Sequence, residues 1–263
     1  MYKECSLREA QLRMLEMLLE IDKICKNNNI KYWLDGGSLL GAIRHNGFIP
    51  WDDDIDVGMF REDYKKFKVV IEKQLSDKYF YQTPITDRYD EAPWIRIKDK
   101  NSYINDGKEK KYHQGLGIDI FPYDSINKRN IKLKKIINIF INLKWKSELP
   151  YKKKKYKRNL AIIILKVMYS LIPYTNLINI AYKLGDRVDV LDTNRIDYGI
   201  EVPWNLKIRK EFIFPLNEHV FEGYNLPIPN NSIKILELLY GDWSKLPDID
   251  KQKPSHSNKI YIK

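Results

Sequence analysis

The chain has 263 residues and a mass of 31.4 kDa, enough to bury a core without disulfide or metal staples. Its 43% hydrophobic, 31% charged and 13% aromatic residues, with 12 Gly and 12 Pro, exclude collagen-like, coiled-coil and wholly disordered chains. Against 35 Asp and Glu stand 46 Lys and Arg, and the net +11 points to a polyanion, an anionic membrane or a phosphate-bearing substrate.

Ser6 and Glu9 have the spacing of a capping box, and Leu12, Leu15, Leu18, Leu19 and Ile24 follow at helical intervals, so residues 6–28 are expected to form an amphipathic helix. Cys5 and Cys25 lie on or beside it with neither a disulfide framework nor metal-ligand spacing, which suits a reducing, cytoplasmic setting. The start has no apolar leader pattern, and no stretch of about 18 uncharged apolar residues suggests a membrane span. After three asparagines, residues 30–34 read as a short strand closed by Gly36-Gly37, and residues 38–45 as a helix. Beyond the Asn46-Gly47 turn and Pro50, residues 54–59 alternate acidic and apolar side chains as a strand does, and residues 61–75 look helical. Further short strands are expected at 79–82, 94–98 and 116–121. Residues 126–188 are rich in Ile, Leu, Asn and Lys in long helical runs, and one more helix is expected at 233–240. The predicted class is α+β: a mixed sheet flanked by helices in residues 1–125, a basic helical insert at 126–188, and a closing part at 189–263.

Trp51-Asp52-Asp53-Asp54-Ile55-Asp56 sets four carboxylates within five residues, and on a strand Asp54 and Asp56 point to the same face. Two such neighbours repel unless a hard divalent cation such as Mg²⁺ (or Mn²⁺) bridges them; the alternative is a solvated acidic turn or helix cap. Upstream, Leu34-Asp35-Gly36-Gly37-Ser38 runs from strand through a glycine turn into a helix, where backbone N–H groups can approach a phosphate. The same sequence also suits a plain tight connection. Asp119, alone in the apolar stretch Gly117-Ile118-Asp119-Ile120-Phe121, needs a cation or hydrogen-bond donor and is a candidate third ligand or general base.

Gly-Gly-Ser, an Asp-x-Asp strand and a later lone Asp on a strand form the signature of the nucleotidyltransferase fold. The longer string YWLDGGSLLGAIRHNGFIPWDDDIDVGM, with GLGIDIFPYD and, more loosely, FEGYNLPIP, ILELLYGDW and His256, resembles the LicD family of phosphocholine transferases, to which fukutin-related proteins are distantly related. The resemblance implies a metal-dependent transfer of a phospho-alcohol, phosphocholine from CDP-choline, to a hydroxyl of a cell-surface glycan or teichoic-acid precursor, with release of CMP. It implies Asp54, Asp56 and Asp119 as metal-binding and catalytic residues. Gly36, Gly37, Ser38, Arg44, His45, Arg96 and Lys98 are candidates for holding donor phosphates; surface positions for Arg44 and His45, and plain solvation of Arg96 and Lys98, are the alternatives. Choline would call for an aromatic cage. Trp33, Trp51 and Trp94 lie nearest the motifs, though no spacing singles one out. Transfer of ribitol phosphate or glycerol phosphate, or attack on a nucleotide α-phosphate, is compatible with the same carboxylates.

Residues 126–187 hold 16 Lys and Arg against two acids, Glu148 and Asp186, a net of +14, so the rest of the chain is slightly acidic. Lys152–Lys155, Lys157 and Arg158 invite a nucleic-acid reading, but nothing there resembles a recognition helix. The apolar run from Leu160 to Ile172 that follows, interrupted by Lys166, suits a helix lying in the interface of an anionic membrane, and so an enzyme peripheral to the inner membrane face; the alternative is a core helix with a solvated basic flank. The non-enzymatic alternative for the whole chain is a membrane- or RNA-binding protein with a structural acidic cluster.

Overall fold

Ser6 accepts the backbone N–H of Glu9 while the Glu9 carboxylate accepts from the Ser6 backbone, so the capping box starts the first helix where its spacing predicts. The computed structural model describes residues 1–107, 110–188, 193–254 and 259–263; His256 falls outside them. In the first half, β1 (Lys3–Cys5) and α1 (Leu7–Asn27) precede β2 (Trp33–Leu34), α2 (Gly36–His45), β3 (Ile55–Phe60) and α3 (Arg61–Gln74). Then come β4 (Tyr79–Gln82), β5 (Ile95–Asp99), β6 (Ser102–Asn105) and β7 (Gly117–Ser125). The basic segment folds as α4 (Lys128–Ser147), α5 (Tyr156–Leu171) and α6 (Tyr174–Gly185). The remainder supplies β8 (Arg195–Tyr198), β9 (Ile208–Arg209), β10 (Asn217–Phe221), β11 (Tyr224–Ile228), α7 (Ser232–Tyr240) and β12 (Lys259–Ile262).

The central sheet has the order β2-β3-β7-β5-β4, and β8 joins β7, with β9 beside it. Among the described residues of this sheet β3 and β7 run parallel, and the other pairings are antiparallel. β7 is long because two neighbours share one of its edges: residues 117–120 pair with β5 and residues 123–125 with β8. The last part of the chain is thereby sewn into the sheet that carries the acidic motif. β7 is buried along its length except at Asp119, which is half-buried. Helices α1 and α3 cover the sheet with Met14, Leu18, Ile21, Tyr64, Phe67 and Ile71. A separate cluster, including Ile137, Ile141, Tyr169, Tyr174 and Ile178, holds the three basic-segment helices together, and Ile200 joins it from the last part of the chain.

Short strands from the two ends of the chain complete the molecule. β12 lies between β1 and β6 in an antiparallel three-stranded sheet, and β10 and β11 form a hairpin. At the end of β3, Arg61 is 1% exposed and grips two carboxylates: Nε and Nη2 donate to Asp124 at 2.6 and 2.8 Å, Nη1 and Nη2 to Glu201 at 2.8 and 2.7 Å. The guanidinium therefore clamps α3, β7 and the loop after β8.

Candidate active site

The register of the sheet gathers the acidic residues. Asp56 on β3 stands opposite Asp119 on β7, and Asp119 stands opposite Arg96 on β5, so the three share one sheet face. Lys98 shares that face, opposite Gly117, where a Cβ would collide with the Lys98 side chain. Asp54 lies one residue before β3 and two before Asp56, hence on the same face.

Local chemistry holds this register. Asp35 caps α2, its carboxylate accepting from the Gly36 N–H at 2.9 Å and from the hydroxyls of Tyr123 at 2.7 Å and Tyr198 at 3.3 Å. The Ser38 hydroxyl accepts from the backbone N–H of Asp56 at 2.9 Å, tying α2 to the acidic strand. Gly36 has φ +50°, the left-handed region, and a Cβ there would lie 2.8 Å from Asp56 Oδ2. At Gly37 a Cβ would lie 2.9 Å from Asp52 Oδ2. Both glycines thus admit carboxylates against the start of α2, and the turn expected to cradle a phosphate faces acidic side chains.

The acidic cluster acts most directly on Asp56. Its pKa is raised well above the ordinary carboxylate range, first by burial and then by the charges of Asp54, Asp119, Asp35 and Asp52. Tyr240, at the end of α7, is likewise pushed up by burial and then by Asp56, Asp35, Asp52 and Asp54. The C-terminal helix therefore approaches the same acids. A half-buried concentration of negative charge is the environment a hard cation stabilises, and the donor set is all oxygen, as Mg²⁺ or Mn²⁺ prefers. Among the described residues no three His, Cys, Asp or Glu side chains already enclose a metal-sized space. Mutual repulsion of like charges opposes such closure.

The remaining candidates divide. Trp94 Nε1 donates to Asp119 Oδ2 at 2.9 Å and fixes that carboxylate. Arg96 pairs with Asp90 and stacks on Tyr112 at 5.5 Å, and its Nε is buried without a hydrogen-bond partner. The Lys98 ammonium is pushed down to about 8 by burial and by Arg96, against the opposing pull of Asp119, Asp90 and Asp54. Arg44 turns elsewhere: it donates to the carbonyls of Trp243 at 2.9 Å and Lys245 at 3.4 Å and to His45 at 3.0 Å, anchoring the loop after α7. His45 stacks edge-on with Trp51 at 6.3 Å, and burial, then the Arg44 charge, lowers its pKa.

Beside Trp94 and Arg96 opens a cavity of about 660 Å³, walled also by Arg88, Lys110, Lys111, Tyr112 and, from α4, Lys144 and Trp145. Trp94, on the cavity wall, belongs to an aromatic cluster. Trp204 is 44% exposed and packs on Trp94 at 4.8 Å, Phe121 at 5.5 Å and Tyr198 at 6.2 Å. Sequence reasoning missed Asp35, Tyr123, Tyr198 and Trp204. The first two lie inside the recognised strings, whereas Tyr198 and Trp204 reach the site only through the β7–β8 pairing.

Residues 29–157 match the family model described as LicD/FKTN/FKRP, nucleotidyltransferase domain. The lipopolysaccharide cholinephosphotransferase LicD of Haemophilus influenzae is 32% identical over 273 aligned positions, which cover 99% of each chain. The chain belongs to the LicD family. The human ribitol 5-phosphate transferase FKRP is 62% identical over 34 residues, 13% of this chain and 7% of its own. The mouse ribitol-5-phosphate transferase FKTN is 40% identical over 53 residues, 20% and 12% respectively.

Proposed function

We propose that the chain transfers phosphocholine from CDP-choline to a hydroxyl of a cell-surface glycan or teichoic-acid precursor, releasing CMP. The broader activity, transfer of a phospho-alcohol, is common to the named relatives, a cholinephosphotransferase and two ribitol-phosphate transferases. The observation that carries the proposal is the convergence of Asp54, Asp56 and Asp119 on one sheet face, beside a cavity whose wall holds Arg88, Arg96, Lys110, Lys111 and Lys144 together with Asp90, Glu91 and Glu148. In this reading the acceptor oxygen bonds to the alcohol-bearing phosphorus, the phosphoanhydride bond to CMP breaks, and the hydroxyl proton leaves to a base.

Asp54, Asp56 and Asp119 are the residues that would hold Mg²⁺ or Mn²⁺, which when bound neutralises the diphosphate and the leaving phosphate. Arg96 and Lys98 border the same face and supply positive charge for donor oxygens. With its pKa near 8, Lys98 keeps its proton at neutral pH. The Trp94 hydrogen bond fixes the orientation of Asp119, suiting it either to complete the ligand set or to take the acceptor's proton. Gly36, Gly37 and Ser38 act by positioning: they let Asp56 approach α2 and hold its backbone. Trp204, with Trp94 and Tyr198 behind it, presents a ring face to a quaternary ammonium. Trp33, fully buried over Gly58, does not.

The test is to incubate the purified protein, Mg²⁺ and a crude lipid-linked glycan acceptor with CDP-choline, CDP-ribitol, CDP-glycerol or CTP. CMP released from CDP-choline in preference to the other two CDP-alcohols is expected. Pyrophosphate from CTP, or no nucleotide release from any donor, would overturn the proposal.

A further inference from the structure

The basic helices present an apolar stripe to solvent, although they have a core of their own. On α5, Tyr156, Leu160, Ile163, Ile164, Val167 and Leu171 are between 47% and 82% exposed, while Ile162 and Tyr169 face inward. The exposed positions follow the i, i+4, i+7, i+8, i+11, i+15 spacing of one helix face. This is the amphipathic stripe that a soluble helix buries, turned outward. Such a contiguous apolar surface marks an interaction site.

The charge around the stripe identifies what covers it. Lys152, Lys153, Lys154, Lys155 and Lys157, all exposed, crowd the start of α5, and Lys166 sits within it over the Tyr151 ring at 5.1 Å. Of the segment's two acids, Glu148 is paired with Lys144 and Asp186 with Lys68, which leaves the Lys152–Lys157 cluster well in excess. A second copy of the chain would bring the same lysines against one another, whereas an anionic bilayer accepts both features, the side chains among acyl groups and the ammoniums among headgroups. Among the described residues no single helix is long and apolar enough to cross a membrane; α5 and α6 together would suffice only as a pair bent by 70°.

We propose that α5 is a membrane-docking helix that lies in the interface of an anionic lipid leaflet, with its Tyr156–Leu171 stripe inserted and the Lys152–Lys157 cluster on the headgroups. Because α4 contributes Lys144 and Trp145 to the cavity beside Asp119 and packs on α5, docking brings that cavity to the membrane surface. The inference stands on α5 alone and does not depend on which donor the enzyme uses.

Vesicle flotation with the full chain tests it, using phosphatidylcholine vesicles with and without 30% phosphatidylglycerol as ~a physiological anionic fraction. Binding to the anionic vesicles only is expected, weakened about tenfold or more by Ile163→Asp with Ile164→Asp, and similarly by Lys153→Glu with Lys154→Glu. Both pairs are exposed, so unchanged circular dichroism and unchanged release of CMP from soluble donor should accompany the loss. Binding that ignores lipid charge, binding unaffected by both pairs, or a dimer that the Asp pair dissociates in the absence of lipid would overturn it.

Discussion

Lys98 and Trp204 show how neighbours set the work of a single residue. Lys98 is held near pKa 8 in the fold against an ordinary value of 10.5, so below about 8 both folded and unfolded chains carry its proton. Between 8 and 10.5 the unfolded chain binds more protons, and metal-free protein should gain stability as pH rises through that window. Urea unfolding at steps across it should show the rise in the native chain and a flatter profile in Lys98→Met; parallel profiles would remove Lys98 as the cause. Trp204→Ala should raise the KM for CDP-choline roughly tenfold, with a smaller effect on kcat and on CDP-ribitol, because the lost ring face acts on the cation and not on the diphosphate. Equal losses with both donors would mean that Trp204 only supports Trp94. Much at this scale was legible beforehand. Strand periodicity alone puts Asp54 and Asp56 on one face, and an aspartate in the apolar Gly117–Phe121 run demands a partner, which Trp94 supplies. Trp204 was not legible, since nothing in its local sequence reveals that β8 will carry it to β7. Arg44 also misleads in sequence. It is near the glycines along the chain, yet its guanidinium goes to carbonyls some 200 positions away.

Among elements, the decisive junction is where β3 turns into α3. Arg61 there is enclosed by Asp124 and Glu201, and Gly185 and Gly199 leave it room, for a Cβ at either would press on the guanidinium. Arg61→Met would strand two buried carboxylates and should cost about 3–5 kcal/mol, read as a fall in the urea midpoint. Lys68→Met, at an ion pair with partly exposed Asp186, should cost about 1 kcal/mol or less. Comparable losses at the two sites would contradict the clamp. Helices α1, α2 and α3, and strands β3, β4, β5 and β7, were readable because caps, glycines and periodicity are local signals. The two- to five-residue strands β1, β6 and β8–β12 were not. They exist through partners far along the chain, as when β12 fits between β1 and β6.

At the scale of the whole molecule, charge is divided by task. The segment with all the excess positive charge forms three helices with a small core and an exposed stripe, while the carboxylates collect on the sheet. The outward turn of α5 could not be read from periodicity, which reports that a helix has an apolar face but not what covers it. Asp56 is kept in an unfavourable environment, which the proposed chemistry requires. Its raised pKa means that the ionised carboxylate destabilises the metal-free fold at neutral pH. One comparison tests this directly: thermal unfolding and CMP release from CDP-choline, measured side by side for the native chain and Asp56→Asn. Asp56→Asn should have a Tm equal or a few degrees higher in metal-free buffer, together with a loss of turnover of about 100-fold or more. A variant that is less stable yet retains near-native turnover would contradict it.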